Sequence, residues 1–152
     1  MTEKKLIDLY PYRIDDGEVT FLLFKRAKGK IYEGQWRMIG GKVEPGETYW
    51  EAALRELLEE TALTPSKMWT IPSLNLFYEH SSDSILQIPA FAAEIDRGDA
   101  IRLDREHTEY SWVEHDEVSE YLYWPEQIRL IRLTNELIKN NKILKDWRVP
   151  LS

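Results

Sequence analysis

The run GGKVEPGETYWEAALRELLEETAL, Gly40 to Leu63, constrains this chain more than any other stretch. Thr48 followed three residues later by Glu51 is a capping-box signature, which predicts a helix starting there. Pro45 and Gly46 supply the turn before it, and Pro65 bars the helix from running much further. At about 100° per residue, Glu59 falls near −60° and Glu60 near +40° of Glu56. Trp50, Leu54, Leu57 and Leu58 gather between roughly +100° and +200°. One flank is therefore core, and the other carries three carboxylates.

A solvated acidic flank is ordinarily laced with cations one turn along. Here Glu56 and Glu60 are like charges at i,i+4, and none of the three acids has a Lys or Arg four residues ahead. Arg55 is the one cation among them, with Glu51 four residues before it as its expected partner. Carboxylates gathered without a protein cation point to one from outside. Oxygen-only ligands favour a hard divalent ion, Mg2+ or Mn2+, and Mg2+ is usually shared between a few carboxylates and substrate phosphates. The expectation is a metal-bridged phosphate site.

Gly41, five residues, Glu47, seven residues, then Arg55-Glu56-Leu57-Leu58-Glu59-Glu60-Thr61-Ala62-Leu63 resembles the signature box of the Nudix hydrolases. One position departs. The family has glycine where Ala62 stands, at the predicted helix exit, and alanine costs about 1 kcal/mol there if φ must be positive. The resemblance implies an α/β fold, the Nudix α/β/α sandwich with a mixed β-sheet, with residues 1–152 as one domain. It further implies Glu56, Glu59 and Glu60 as ligands of Mg2+ or Mn2+, with the Gly41 carbonyl as an additional ligand. Arg55 would position the box carboxylates, and Glu47 would orient Arg55.

Composition agrees with a globular domain. At 152 residues the chain has the size of one domain, and 43% apolar with 31% charged residues is a folded rather than a disordered mixture. The absence of cysteine rules out disulfides and thiolate metal sites and suits a reducing cytoplasm. A net charge of −7 disfavours a nucleic-acid binder but not a polyphosphate met through metal. Asp8 interrupts any apolar run that would make a signal peptide after Lys4 and Lys5, and no run reaches membrane length. The expected partner is a small nucleotide or polyphosphate, with neither stable nucleic acid nor membrane. A homodimer stays open.

Along the chain, Leu6–Ile14 and Val19–Lys25 read as strands around an Asp15-Asp16-Gly17 turn, followed by a loop over Ala27–Gly34 and a short strand over Trp36–Gly41. Met68–Ile71 and Leu74–Glu79 read as strands split by Pro72, and Ile85–Ile95 as a strand pair or one long strand with Pro89 at an edge or bulge. A short helix is expected over Asp116–Leu122 and a longer one from Trp124-Pro125 to about Asn140. Arg26, at a strand end, is a phosphate contact or a surface charge; Lys42, after the double glycine, is a second phosphate contact. Trp36 is core or a stacking platform. Phe77 and Tyr78 either frame a base or pterin ring or pack as ordinary strand aromatics.

The family resemblance adds Glu106, six residues before Trp112, as a further metal ligand or the general base, with Glu109 as its competitor. His80, His107 and His115 have no metal-ligand spacing and read as surface or capping residues. Ile39 (where many relatives have proline), the Glu106–Trp112 segment and Trp124 make the chain similar to the dihydroneopterin triphosphate and dATP pyrophosphohydrolase branch. ADP-ribose or nucleotide-sugar pyrophosphatases and dinucleoside polyphosphate hydrolases are the enzymatic alternatives. A nucleotide-binding sensor module without turnover is the alternative outside catalysis.

Overall fold

The computed structural model describes residues 4–30 and 33–151; Ile31 and Tyr32, within the expected Ala27–Gly34 loop, lie outside the described residues. Strands β1 (Leu6–Asp15) and β2 (Glu18–Arg26) form an antiparallel hairpin. Its two loop residues, Asp16 and Gly17, have φ of 51° and 80°, the left-handed backbone that matches the twist of a two-residue hairpin. The two strands pair only from Asp15↔Glu18 to Tyr12↔Phe21 and then splay. Into that fork the chain inserts β3 (Trp36–Arg37) against β2 and β4 (Ile39–Lys42) against β1. The single strand expected over Trp36–Gly41 is thus two, broken at Met38, because each piece satisfies a different open edge.

Strands β5 (Lys67–Glu79) and β6 (Ser84–Glu94) make a second hairpin, and β6 lies parallel to β1, while β7 (His107–Glu114) pairs antiparallel with the other edge of β2. The sheet is mixed, in the order β3-β2-β1-β6-β5, with β4 on β1 and β7 on β2. Pro72 does not split β5. The strand runs through it with a register shift between Thr70 and Leu74, an irregularity that absorbs the missing N–H.

Helices α1 (Tyr49–Thr61) and α2 (Pro125–Lys139) cover opposite faces of this sheet. Strand alternation sends Ile7, Leu9, Leu22 and Phe24 against Ala52, Ala53 and Leu57 of α1. The intervening Tyr10, Tyr12, Phe21 and Leu23 pack toward Leu130 and Ile131 of α2. Each such large apolar side chain contributes about 1.5–3 kcal/mol by burial, so both helices are fixed to the sheet rather than resting on it. This is the α/β/α sandwich that the resemblance implied. The helix expected over Asp116–Leu122 is reduced to a 3-10 turn at Val118–Glu120. The tail packs back: Val149 N donates to Met68 O at 2.9 Å, and Trp147 joins the core on the α2 side. No helix among the described residues is long and apolar enough to cross a membrane.

Candidate active site

The capping box places α1. Thr48 Oγ1 accepts from Glu51 N at 3.2 Å and Glu51 Oε1 accepts from Thr48 N at 2.9 Å, so the helix starts where the sequence predicts. At the other end Ala62 takes φ 64° and donates its N–H to Leu58 O, filling a left-handed exit with a residue that carries a Cβ. Glu51, engaged by the cap, does not pair with Arg55 as expected. Arg55 Nε and Nη2 instead donate to the two oxygens of Glu47 at 2.7 and 3.1 Å, and Nη1 reaches Glu56 at 2.9 Å and Glu59 at 3.3 Å. Nη2 also donates to Lys42 O at 2.9 Å, tying α1 to the end of β4. The premise that the three acids lack a protein cation therefore holds for Glu60 alone, because Arg55 bends back toward the first turn and spans two of them.

Glu60 is only 4% exposed, and its Oε2 is buried without a hydrogen-bond partner. Burial pushes its carboxyl well above the ordinary range, and the negative charges of Glu56, Asp104 and Glu106 add to the shift. Burial likewise raises Glu56, against the pull of the Arg55 guanidinium. The Arg55 hydrogen bonds hold Glu47 below its usual value. Gly41 lies against these acids: a Cβ there would overlap the Glu56 carboxylate and push that side chain aside. The residues therefore fit a divalent ion. A buried carboxylate oxygen without a donor, further acids beside it and a backbone that can approach closely form a cradle that a cation completes.

Two other sequence candidates join this cluster. Glu106 lies just before β7, and Arg26 Nη1 approaches its Oε2 at 3.3 Å. Arg26 is mostly buried, so its reading as a surface charge is corrected. Glu109 instead pairs with Lys25 at 3.6 Å on an exposed stretch of β7. Lys42 is exposed at the end of β4. Phe77 and Tyr78, as neighbours in β5, face opposite sides of the sheet and do not frame one ring together. Phe77 meets Trp124 edge-on, with ring centroids 4.8 Å apart, whereas Tyr78 is 60% exposed and donates to Asp83. Trp36 is half-buried against the α2-side core, edge-on to Tyr121.

Sequence reasoning missed His107. Its side chain is buried, 5.3 Å from the ring of Phe24, with Nδ1 3.0 Å from Asp104 Oδ1 and Nε2 3.8 Å from Glu60 Oε1. Burial lowers its pKa, and the hydrogen bond to Asp104 opposes the shift. Only the fold brings Asp104 and His107 to Glu60, so spacing along the chain gave no signal.

The model of the NUDIX domain matches residues 11–134, most of the chain and all of the acidic helix. The chain belongs to the Nudix family. Nudix proteins of this kind are hydrolases of phosphoric anhydrides, and this chain is one of them. Among its relatives, the asymmetrical bis(5'-nucleosyl)-tetraphosphatase of Caenorhabditis elegans is 28% identical over 130 residues, covering 84% of this chain and 91% of that one. The nucleoside triphosphatase NudI of Escherichia coli is 28% identical over 109 residues, covering 66% and 77%. The Nudix fold recurs in a C. elegans Ap4A hydrolase structure with a TM-score of 0.75 at 23% identity, over 91% of this chain and 99% of that one. A Listeria monocytogenes Nudix structure superposes at 0.78 with 21% identity, over 93% and 98%.

Proposed function

We propose that this Nudix chain is a divalent-metal-dependent pyrophosphohydrolase that cleaves a diphosphate bond in a nucleoside polyphosphate. The observation that carries the reading is the buried, donorless Oε2 of Glu60, set among acids that include Glu56, whose carboxylate lies against Gly41. Glu56, Glu59 and Glu60 would hold Mg2+ or Mn2+ together with the Gly41 carbonyl. Such an ion neutralises pyrophosphate oxygens and acidifies water. Arg55, gripped by Glu47, keeps Glu56 and Glu59 turned toward one point. Glu106 would take the proton of the attacking water as the new P–O bond forms and the anhydride bond breaks. Arg26, paired with Glu106 at 3.3 Å, would contact a phosphate oxygen, and exposed Lys42 at the end of β4 would be a second such contact.

A nucleoside triphosphate of the dATP or dihydroneopterin triphosphate type is the first substrate class. Phe77 beside Trp124 offers the aromatic edge for its ring system. The likeness to the C. elegans tetraphosphatase over nine-tenths of that protein favours a dinucleoside polyphosphate as the second class. Product release from dATP, dihydroneopterin triphosphate, diadenosine tetraphosphate and ADP-ribose, with and without Mg2+, tests both. Turnover of either of the first two classes only with metal is expected. Saturable binding without turnover would instead make the chain a nucleotide-binding module.

A further inference from the structure

Asp104, His107 and Glu60 gather in one compact group beside the acid cluster. Their candidate ligand atoms all fall within 4.8 Å of one another. Asp104 Oδ1 accepts from Glu106 N at 3.1 Å, which fixes the carboxylate, and it stands 3.0 Å from His107 Nδ1. A carboxylate oxygen can only accept, so Nδ1 carries the hydrogen and the lone pair of a neutral ring sits on Nε2. That lone pair faces Glu60 Oε1 across 3.8 Å. Two donor atoms each about 2.0–2.2 Å from one ion stand roughly 3–4 Å apart, so the gap is the width of a shared ligand sphere. It is also wider than a hydrogen bond. A metal-bound histidine almost always donates its second ring N–H to a carboxylate or carbonyl, and Asp104 already provides that support. Arg26 opposes a cation here, but Glu106 pairs with it at 3.3 Å and offsets its charge.

We infer that His107 Nε2, oriented by Asp104, is a nitrogen ligand beside Glu60, and that this centre takes a first-row transition ion in preference to Mg2+. The inference rests on Glu60 being a ligand, as proposed above, and extends that site with residues outside the signature box. Imidazole nitrogen is a poor donor to Mg2+ and a good one to Fe2+, Ni2+ or Zn2+, so adding it to an oxygen set shifts the choice of metal. The second oxygen of Glu60, buried and without a donor, gives the ion a further contact inside the same pocket.

The test uses the full metal-free chain and Zn2+ alone, with the ring nitrogens of its three histidines followed by NMR. Zn2+ should give the Nε2 resonance of His107 the large shift of a coordinated nitrogen and leave those of His80 and His115 in place, whereas Mg2+ at Glu60 should give His107 no such coordination shift. By calorimetry, His107→Gln should weaken Zn2+ binding at least about tenfold while Mg2+ binding stays within about twofold of the wild type. If that variant fails to fold, Asp104→Asn replaces it, since loss of the orienting carboxylate should weaken Zn2+ by about tenfold. Zn2+ binding with a silent His107, a shift at His115 alone, or no Zn2+ binding would each overturn the inference. Mg2+-dependent turnover beside a silent His107 would overturn it and leave the proposed hydrolase standing. A His107 shift with no turnover under any ion would do the reverse.

Discussion

Asp8 and Glu60 are carboxylates nearly sealed from solvent, 5% and 4% exposed, on opposite sides of one sheet, and the protein treats them differently. Asp8 Oδ2 accepts from Asn75 Nδ2 at 2.9 Å and from the Tyr10 hydroxyl at 3.2 Å. Asn75 Oδ1 is held in turn by Trp124 Nε1 at 3.0 Å, so the network runs from β1 to the start of α2. Burial pushes Asp8 up to about 6, with those donors and the charge of Arg37 pulling it back. Glu60 has carboxylates for neighbours and an oxygen that nothing donates to. A buried acid furnished with neutral donors is part of the scaffold. One furnished with more acids must keep its proton or gain a cation.

The sharpest way to break this contrast is Glu60→Gln. Glutamine can still donate to Glu56 but carries no charge, so metal-dependent turnover should fall at least about 100-fold. The metal-free protein should at the same time melt at a higher temperature near neutral pH. A variant that melted early yet kept its turnover per folded molecule would make Glu60 structural and erase the distinction.

A pH series on the metal-free chain separates the two acids. Asp8 has a folded value of about 6 against an ordinary 3.8. Its contribution is therefore whole below about pH 4 and is lost as pH rises through about 6, by roughly 3 kcal/mol. Denaturant titrations should show that decline, and Asp8→Asn should flatten it. Glu60 is also raised, so its contribution too is lost with rising pH, and a saturating divalent ion should cancel its part only. Cancellation of both parts by metal would place the ion near Asp8 as well.

The smallest expected change is a control. Ala62→Gly relieves the left-handed exit of α1 and should add about 1 kcal/mol of stability with turnover unchanged. Altered turnover would mean that the exit geometry, and not the acids alone, sets where Glu60 stands.

Much of α1 was legible before any coordinates, because a helix repeats its faces at a fixed angle and its caps are local chemistry. Thr48, Glu51 and Ala62 all stand as their positions dictate. The charge pairing was less legible. The i,i+4 rule gave Arg55 to Glu51, whereas the fold brings Glu47 around the turn and ties Glu51 to the cap. Gly41 was expected to offer its carbonyl, whereas the close approach of the Glu56 carboxylate to it comes from another element. His107 and Asp8 were beyond reach for a related reason. The first read as a surface residue and the second only as a break in an apolar run, and beside their near neighbours Asp104 and Tyr10 each has a partner dozens of residues away, Glu60 and Asn75. Phe77 and Tyr78 show a different limit: adjacency in sequence suggested a pair, and the strand's two-residue repeat separates them onto opposite faces.

The forked hairpin has a further consequence. Strands β3 and β4 occupy its open end, and the Asp16-Gly17 bend lies at the closed end, so cutting the chain at that bend would leave the lining of the fork in place. New termini made there would test whether the wedge alone can hold the glycine step against the acidic helix.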